Sequence, residues 1–213
     1  MQHRYAEDER LAFSTVVAAR RFGSETSLTR GRLLDAAAVL MLREGYPAVT
    51  SRRVAAEAGL NPALVHYYFR RMDDLFLALH RRRAEQGLQL HAEVLASDQP
   101  LWTLWEYHRD AQGTGLTMEF VALANHRKAI RAEIKDTVER FRAEEIKMLK
   151  KIFKRYGVSP AECPPMVAAM LLSSVARFLA IEETLDMFTG HAQTVAFVER
   201  FIRQLEGERR AAS

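Results

Sequence analysis

Between residues 29 and 44 the apolar side chains fall at Leu33, Ala36, Ala37, Leu40 and Met41, the three-and-four spacing of one helical face. Gly45 ends that run as a C-terminal cap does. The period returns at Val54, Ala55 and Ala58, between Thr50, whose hydroxyl suits an N-cap, and Gly59. Asn61 then caps a third helix that reaches about Phe69, with Pro62 at a first position where no N–H is needed. Asp73 and Asp74 suit the positive start of a fourth helix running to about Leu95. The tetrapeptide SDQP, residues 97–100, is the best candidate boundary. Beyond it the pattern predicts a short aromatic helix over about 101–110 and a loop holding Gly113 and Gly115. Further helices follow over about 114–126, 127–156, 166–186 and 191–206.

Composition narrows this to an all-α protein. Ten glycines and six prolines in 213 residues are few breakers, and no β-branched, turn-punctuated runs appear. The run MVAAMLLSSVARFLAI, residues 166–181, is apolar nearly all round. It falls short of the ~20 residues of a membrane span and contains Arg177, so it is expected to be buried in protein, with no membrane partner. The single cysteine, Cys163, excludes an intrachain disulfide and a Cys-rich zinc site, and fits a thiol in a reducing cytoplasm. Residues 1–28 carry Glu7, Asp8 and Glu9 and no continuous apolar core, so no signal peptide is expected.

Catalytic signatures are missing. Seven scattered histidines include no HExxH spacing, and there is neither a Gly-rich phosphate loop nor a nucleophile elbow. Glu119 and His126 share a helical face but have no third partner. The sequence therefore implies a non-enzyme without metal or cofactor.

Charge gives the first functional direction. Residues 29–83 hold ten Arg and five acids, net +5, whereas residues 1–28 are neutral and residues 84–213 carry net −1. All ten are Arg, because the first Lys of the chain is Lys128, and concentrated Arg is a footprint of phosphate contact. In the same segment, AAEAGLNPAL joins two short helices through a Gly turn, the helix-turn-helix arrangement. With Val65 and Phe69 turned into a small core, the third helix keeps an outer side free, and an α-helix fits the DNA major groove.

The residues themselves resemble a known family. The stretch TRGRLLDAAAVLMLREGYPAVTSRRVAAEAGLNPALVHYYFRRMDDLFLAL resembles the N-terminal domain of the TetR family of transcriptional regulators over about residues 29–79. The resemblance implies an N-terminal extension at 1–28, a helix-turn-helix DNA-binding domain at 29–80, and a helical effector-binding and dimerisation domain at 81–213. It implies that Thr50 caps the second helix and, with Arg52, meets phosphate. Asn61, Pro62, Ala63, Leu64 and Tyr67 then face the groove, and His66 stands where the family often has a phosphate-binding tyrosine. Tyr68 either packs or binds. The family's lysine at the start of the fourth helix is Met72 here, and the adjacent Arg70 and Arg71 are the candidate replacements. Arg20 and Arg21 are candidate minor-groove contacts of an N-terminal arm.

For the second domain the resemblance implies a pocket among the middle helices and a homodimer through about residues 166–206, presenting two recognition helices to two-fold related half-sites of double-stranded operator DNA. Candidate ligand contacts are Trp102, Trp105, Met118, Phe120, Met170 and Phe178, with Glu119, Asn125, His126 and Arg177 as polar partners. The Met and aromatic content points to a small apolar effector. The sequence thus reads as a cytoplasmic DNA-binding regulator, in the family's usual mode a repressor released by its effector. The alternative is a helical lipid- or partner-binding module of the same architecture without DNA binding.

Overall fold

The computed structural model describes residues 27–210, and within them the chain is helical with no strand. The extension at 1–26, with the expected arm contacts Arg20 and Arg21, lies outside the described residues. The helices are α1 (Leu28–Glu44), α2 (Ser51–Ala58), α3 (Pro62–Tyr68), α4 (Met72–Ala96), α5 (Pro100–His108), α6 (Ala111–His126), α7 (Lys128–Tyr156), α8 (Pro165–Glu183) and α9 (His191–Glu206). A short 3-10 turn, Tyr46–Ala48, links α1 to α2. The chain divides into two compact units between His80 and Arg81, inside α4.

In the first unit, Leu33, Leu34, Ala37, Leu40 and Met41 of α1 are fully buried, as are Val54 and Ala55 of α2. α1 packs on α2, and α2 on α3. Gly45 ends α1 at a positive φ of 80°, with its N–H donated to the Met41 carbonyl. Polar bonds bind the two ends of this packing. Arg43 donates to Glu57 at 2.9 Å, Arg53 donates to Glu44 at 2.6 Å, and the Arg32 guanidinium donates to the Ala58 carbonyl at 2.6 Å. Hydrogen bonds from Arg53, and then Arg43, hold the Glu44 carboxyl below its ordinary value. Since these groups are exposed, they fix geometry more than they stabilise.

The second unit has its own core, formed by Trp102, Leu104 and Trp105 of α5, Met148, Leu149, Ile152 and Phe153 of α7, Ala169, Ala176 and Leu179 of α8, and Ile202 of α9. SDQP is not a domain break. It is a turn within this unit, and residues 206–210 are fastened onto it. The buried Gln99 amide donates to the carbonyls of Glu206 (3.1 Å) and Glu208 (2.7 Å), and its oxygen accepts from the Arg210 N–H at 2.8 Å. Glu206 accepts from the N–H groups of Leu101 and Trp102 at 2.8 and 3.1 Å, an N-terminal cap for α5 supplied from over a hundred residues away. The Trp102 indole donates to the Gly207 carbonyl at 3.0 Å. Burial and then a hydrogen bond to Glu206 push the Tyr156 hydroxyl up to about 12.

Two further expectations are corrected. Gly113 and Gly115 do not lie in a loop, because α6 starts at Ala111. Asp110 caps it, accepting from the N–H groups of Gln112 (3.2 Å) and Gly113 (2.8 Å), and this carries the helix through two residues of poor propensity. The apolar run was expected to be too short for a bilayer. In fact α8 is 19 residues and is long and apolar enough to cross a membrane by length and composition. Pro165 occupies its first position, and it closes at Thr184, whose N–H donates to the Ile181 carbonyl at 3.1 Å.

Gln99→Ala should lower the unfolding free energy by about 1–3 kcal/mol, because it leaves two carbonyls without their donor. Urea unfolding followed by circular dichroism measures this.

Candidate nucleic-acid interface

The geometry of α3 follows from its two ends. Gly59 adopts a left-handed conformation (φ 63°, ψ 39°), its N–H reaches the Ala56 carbonyl, and the Leu60 N–H reaches the Ala55 carbonyl at 2.8 Å. That closes α2 and turns the chain sharply, at a φ that suits glycine. The Asn61 side chain then accepts from the Ala63 N–H at 2.8 Å, and Pro62 occupies the first helical position. Thr50 starts α2, its hydroxyl accepting a long 3.4 Å bond from the Arg53 N–H.

One side of α3 is closed off. Val65 and Phe69 are buried, the Arg30 guanidinium lies 5.3 Å from the Phe69 ring centre, and the Tyr68 and Ser27 hydroxyls are 2.8 Å apart. Tyr68 is thereby half-buried against the start of α1. The other side is open. Asn61, Pro62, Ala63, His66 and Tyr67 are exposed, and Leu64 is half-buried. Tyr67, 38% exposed, meets the Tyr68 ring edge-on at 5.0 Å, which limits its rotation.

The arginines flank this surface. Arg52 is exposed at the start of α2, while its neighbour Arg53 is engaged by Glu44. Arg70 and Arg71 are exposed in the bend between α3 and α4. The Arg71 N–H donates to Asp74 at 3.0 Å, but its guanidinium is 4.0 Å from that carboxylate and its side chain is 76% exposed. Met72, where the resembled family has lysine, is the first residue of α4 and half-buried. Sequence reasoning missed Arg30 and Ser27, which brace the C-terminal end of α3 from far upstream and follow no local pattern.

The ligand candidates of the second unit differ in exposure. Trp102, Trp105 and Phe120 are core. Met118, Asn125 and His126 are exposed and Glu119 half-exposed on α6, whereas Met170, Arg177 and Phe178 are exposed on α8.

A short capped helix held on one side, open on the other and flanked by arginines, defines a helix-turn-helix protein. Residues 33–79 match the family described as bacterial regulatory proteins, tetR family. Over 129 residues the chain is 30% identical to the HTH-type transcriptional regulator BetI of Brucella canis, a match covering 60% of this chain and 61% of that protein. The chain thus spans about three-fifths of the length of the curated relatives it matches. Among solved structures, it resembles Salmonella enterica GusR (TM-score 0.65, 16% identity, 86% and 99% of the two chains). It also resembles the transcriptional regulator FadR of Bacillus subtilis, solved in complex with stearoyl-CoA (TM-score 0.56, 13% identity, 84% and 99%). At these identities the structural likeness concerns the fold.

Gly59→Val should cost about 1–2 kcal/mol by forcing a branched residue into the left-handed region, and it should misdirect α3. A fall in thermal midpoint is the expected result, and an unchanged midpoint would contradict the role given to this turn.

Proposed function

We propose that this protein is a DNA-binding transcription regulator whose α3 reads operator DNA, and that it is a repressor released by a small effector with a largely apolar body. The observation that carries the reading is the division of α3 into a buried side (Val65, Phe69) and an exposed side (Asn61, Ala63, His66, Tyr67) flanked by exposed Arg52, Arg70 and Arg71. In this reading Thr50, Arg52, His66, Arg70 and Arg71 meet phosphate and set the register. Asn61, Pro62, Ala63, Leu64 and Tyr67 meet base edges. Tyr68 braces the helix through Ser27 and touches phosphate only if that bond opens. Arg71 takes the place of the lysine missing at Met72.

The dimer belongs to the same proposal. On α8, Val167, Met170, Leu171 and Phe178 are exposed at helical spacing, and on α9 Phe197 and Phe201 stack edge-on at 5.1 Å, more than half exposed. A face this apolar is covered in a stable protein. Pairing α8 and α9 with a second copy covers it and brings two α3 helices to one duplex. This accounts for the apolar character of α8 without a bilayer, and assigns Met170 and Phe178 to the interface instead of the effector. The FadR neighbour was solved with stearoyl-CoA, and an acyl ligand in this architecture supports an effector with an apolar body.

A gel shift on the DNA upstream of the protein's own gene tests the regulator reading. Binding that weakens as salt rises is expected, whereas no binding at low salt would favour the lipid- or partner-binding module without DNA recognition. Two variants separate contact types. Arg71→Ala should weaken binding to all sequences alike and reduce the log–log salt slope by about 1. Tyr67→Ala should change which bases are preferred, as read by binding to a randomised operator library. Phe178→Glu combined with Phe201→Glu should give a folded monomer in sedimentation analysis.

A further inference from the structure

Inside the second unit lies a group of polar side chains that neither DNA contact nor dimer formation uses. His91 of α4 is 6% exposed, and both of its ring nitrogens are buried without a hydrogen-bond partner among the described residues. A buried imidazole left so is costly, and native interiors rarely keep one. Its ring lies 4.5 Å from that of Phe141 on α7. One turn before Phe141, the Thr137 hydroxyl is likewise buried and without a partner among the described residues.

The surroundings define what charge such a site accepts. His108 Nε2 lies 2.7 Å from Glu145 Oε1, and both side chains are under a tenth exposed. That pair compensates itself. Burial lowers the His91 pKa, outweighing Glu145 and Glu144, which act to raise it, and so favours the neutral ring. Arg83 donates to the Gly113 carbonyl at 3.1 Å, with Asp110 close by. An incoming anion would face Glu145, and an incoming cation would be stripped of water beside His108 and Arg83. A neutral imidazole offers one donor and one acceptor, which a hydroxyl matches.

A glycine lets the Phe141 ring lie close against α4. A Cβ built on Gly87, one turn before His91, would come 2.7 Å from the Phe141 ring and 3.2 Å from the Tyr107 hydroxyl. Phe141 is half-buried and so has solvent on one side into which to swing. Its ring occupies the volume beside His91 that a ligand ring of similar size would take.

We propose that His91 is the polar anchor of a ligand site between α4, α5 and α7, and that the site takes neutral ring compounds bearing a hydroxyl or comparable group, which displace the Phe141 ring and engage the His91 nitrogens. The proposal deepens the effector reading above and rests on it for its regulatory meaning, but binding itself is read without DNA.

The test uses the full chain and three probes of equal ring size: phenol, toluene and benzoate. Phenol should raise the thermal midpoint and shift the imidazole nitrogen resonances of His91. Toluene should bind about tenfold more weakly, the value of one good buried hydrogen bond, and benzoate should not compete. His91→Leu should remove the preference for phenol over toluene, and His91→Gln, which keeps a donor and an acceptor, should restore it. If His91→Leu fails to fold, the imidazole resonances of the unaltered protein decide the matter. Toluene binding as tightly as phenol, benzoate binding more tightly, or phenol leaving the His91 resonances unmoved would each overturn the proposal. A failed gel shift would leave these results intact, so the two readings fail separately.

Discussion

The one-sided burial of α3 is the constraint on which the rest depends. Seven residues are too few to form a stable helix alone, because nucleation fixes several dihedrals for one hydrogen bond. α3 therefore exists because Val65 and Phe69 are held, Asn61 and Pro62 start it, and the Gly59 turn aims it. Those same devices leave its other side exposed among the described residues. The Arg30 guanidinium over Phe69 and the Ser27–Tyr68 hydroxyl contact brace the far end from α1. Rigidity comes from one face and exposure from the other, a combination that suits a surface meant to be read by a partner.

The second unit obeys the same logic at a larger scale. Its core is closed at one end by the C-terminal tail, where Gln99 and Glu206 replace the hydrogen bonds that a turn and a helix start would otherwise lack. It is left open on α8 and α9, where apolar side chains at helical spacing have no cover within one protomer. The inferred dimer covers that face. The buried His91 group, by contrast, is enclosed within the protomer and has unmet hydrogen-bonding capacity. An unfilled face and an unfilled polar group call for different partners, and the residue chemistry keeps them apart.

Much of this was legible in the sequence because it is local. Gly45, Thr50, Gly59, Asn61 and Pro62 act within a turn of their own position, so the helix-turn-helix could be written out residue by residue. Helix α9 covers the span expected after the FTG break that ends at Gly190. What escaped depends on distance or on a competing local effect. Asp110 turned a glycine-bearing loop into helix by capping it. Ser97 to Pro100 has the composition of a linker, yet its partners lie over a hundred residues on, at Glu206 and Glu208. His91, His108 and Glu145 come from three helices and share no motif, so no spacing joined them.

The central claim is that two copies of α3 face one duplex. The most direct measurement is the stoichiometry and footprint of the protein on the DNA upstream of its own gene, by sedimentation of the complex and cleavage protection. Two protomers per duplex, protecting two symmetry-related half-sites about one helical turn apart or a multiple of it, is the expected result. One protomer per site with a single protected patch, or a dimer that protects nothing at low salt, would contradict it.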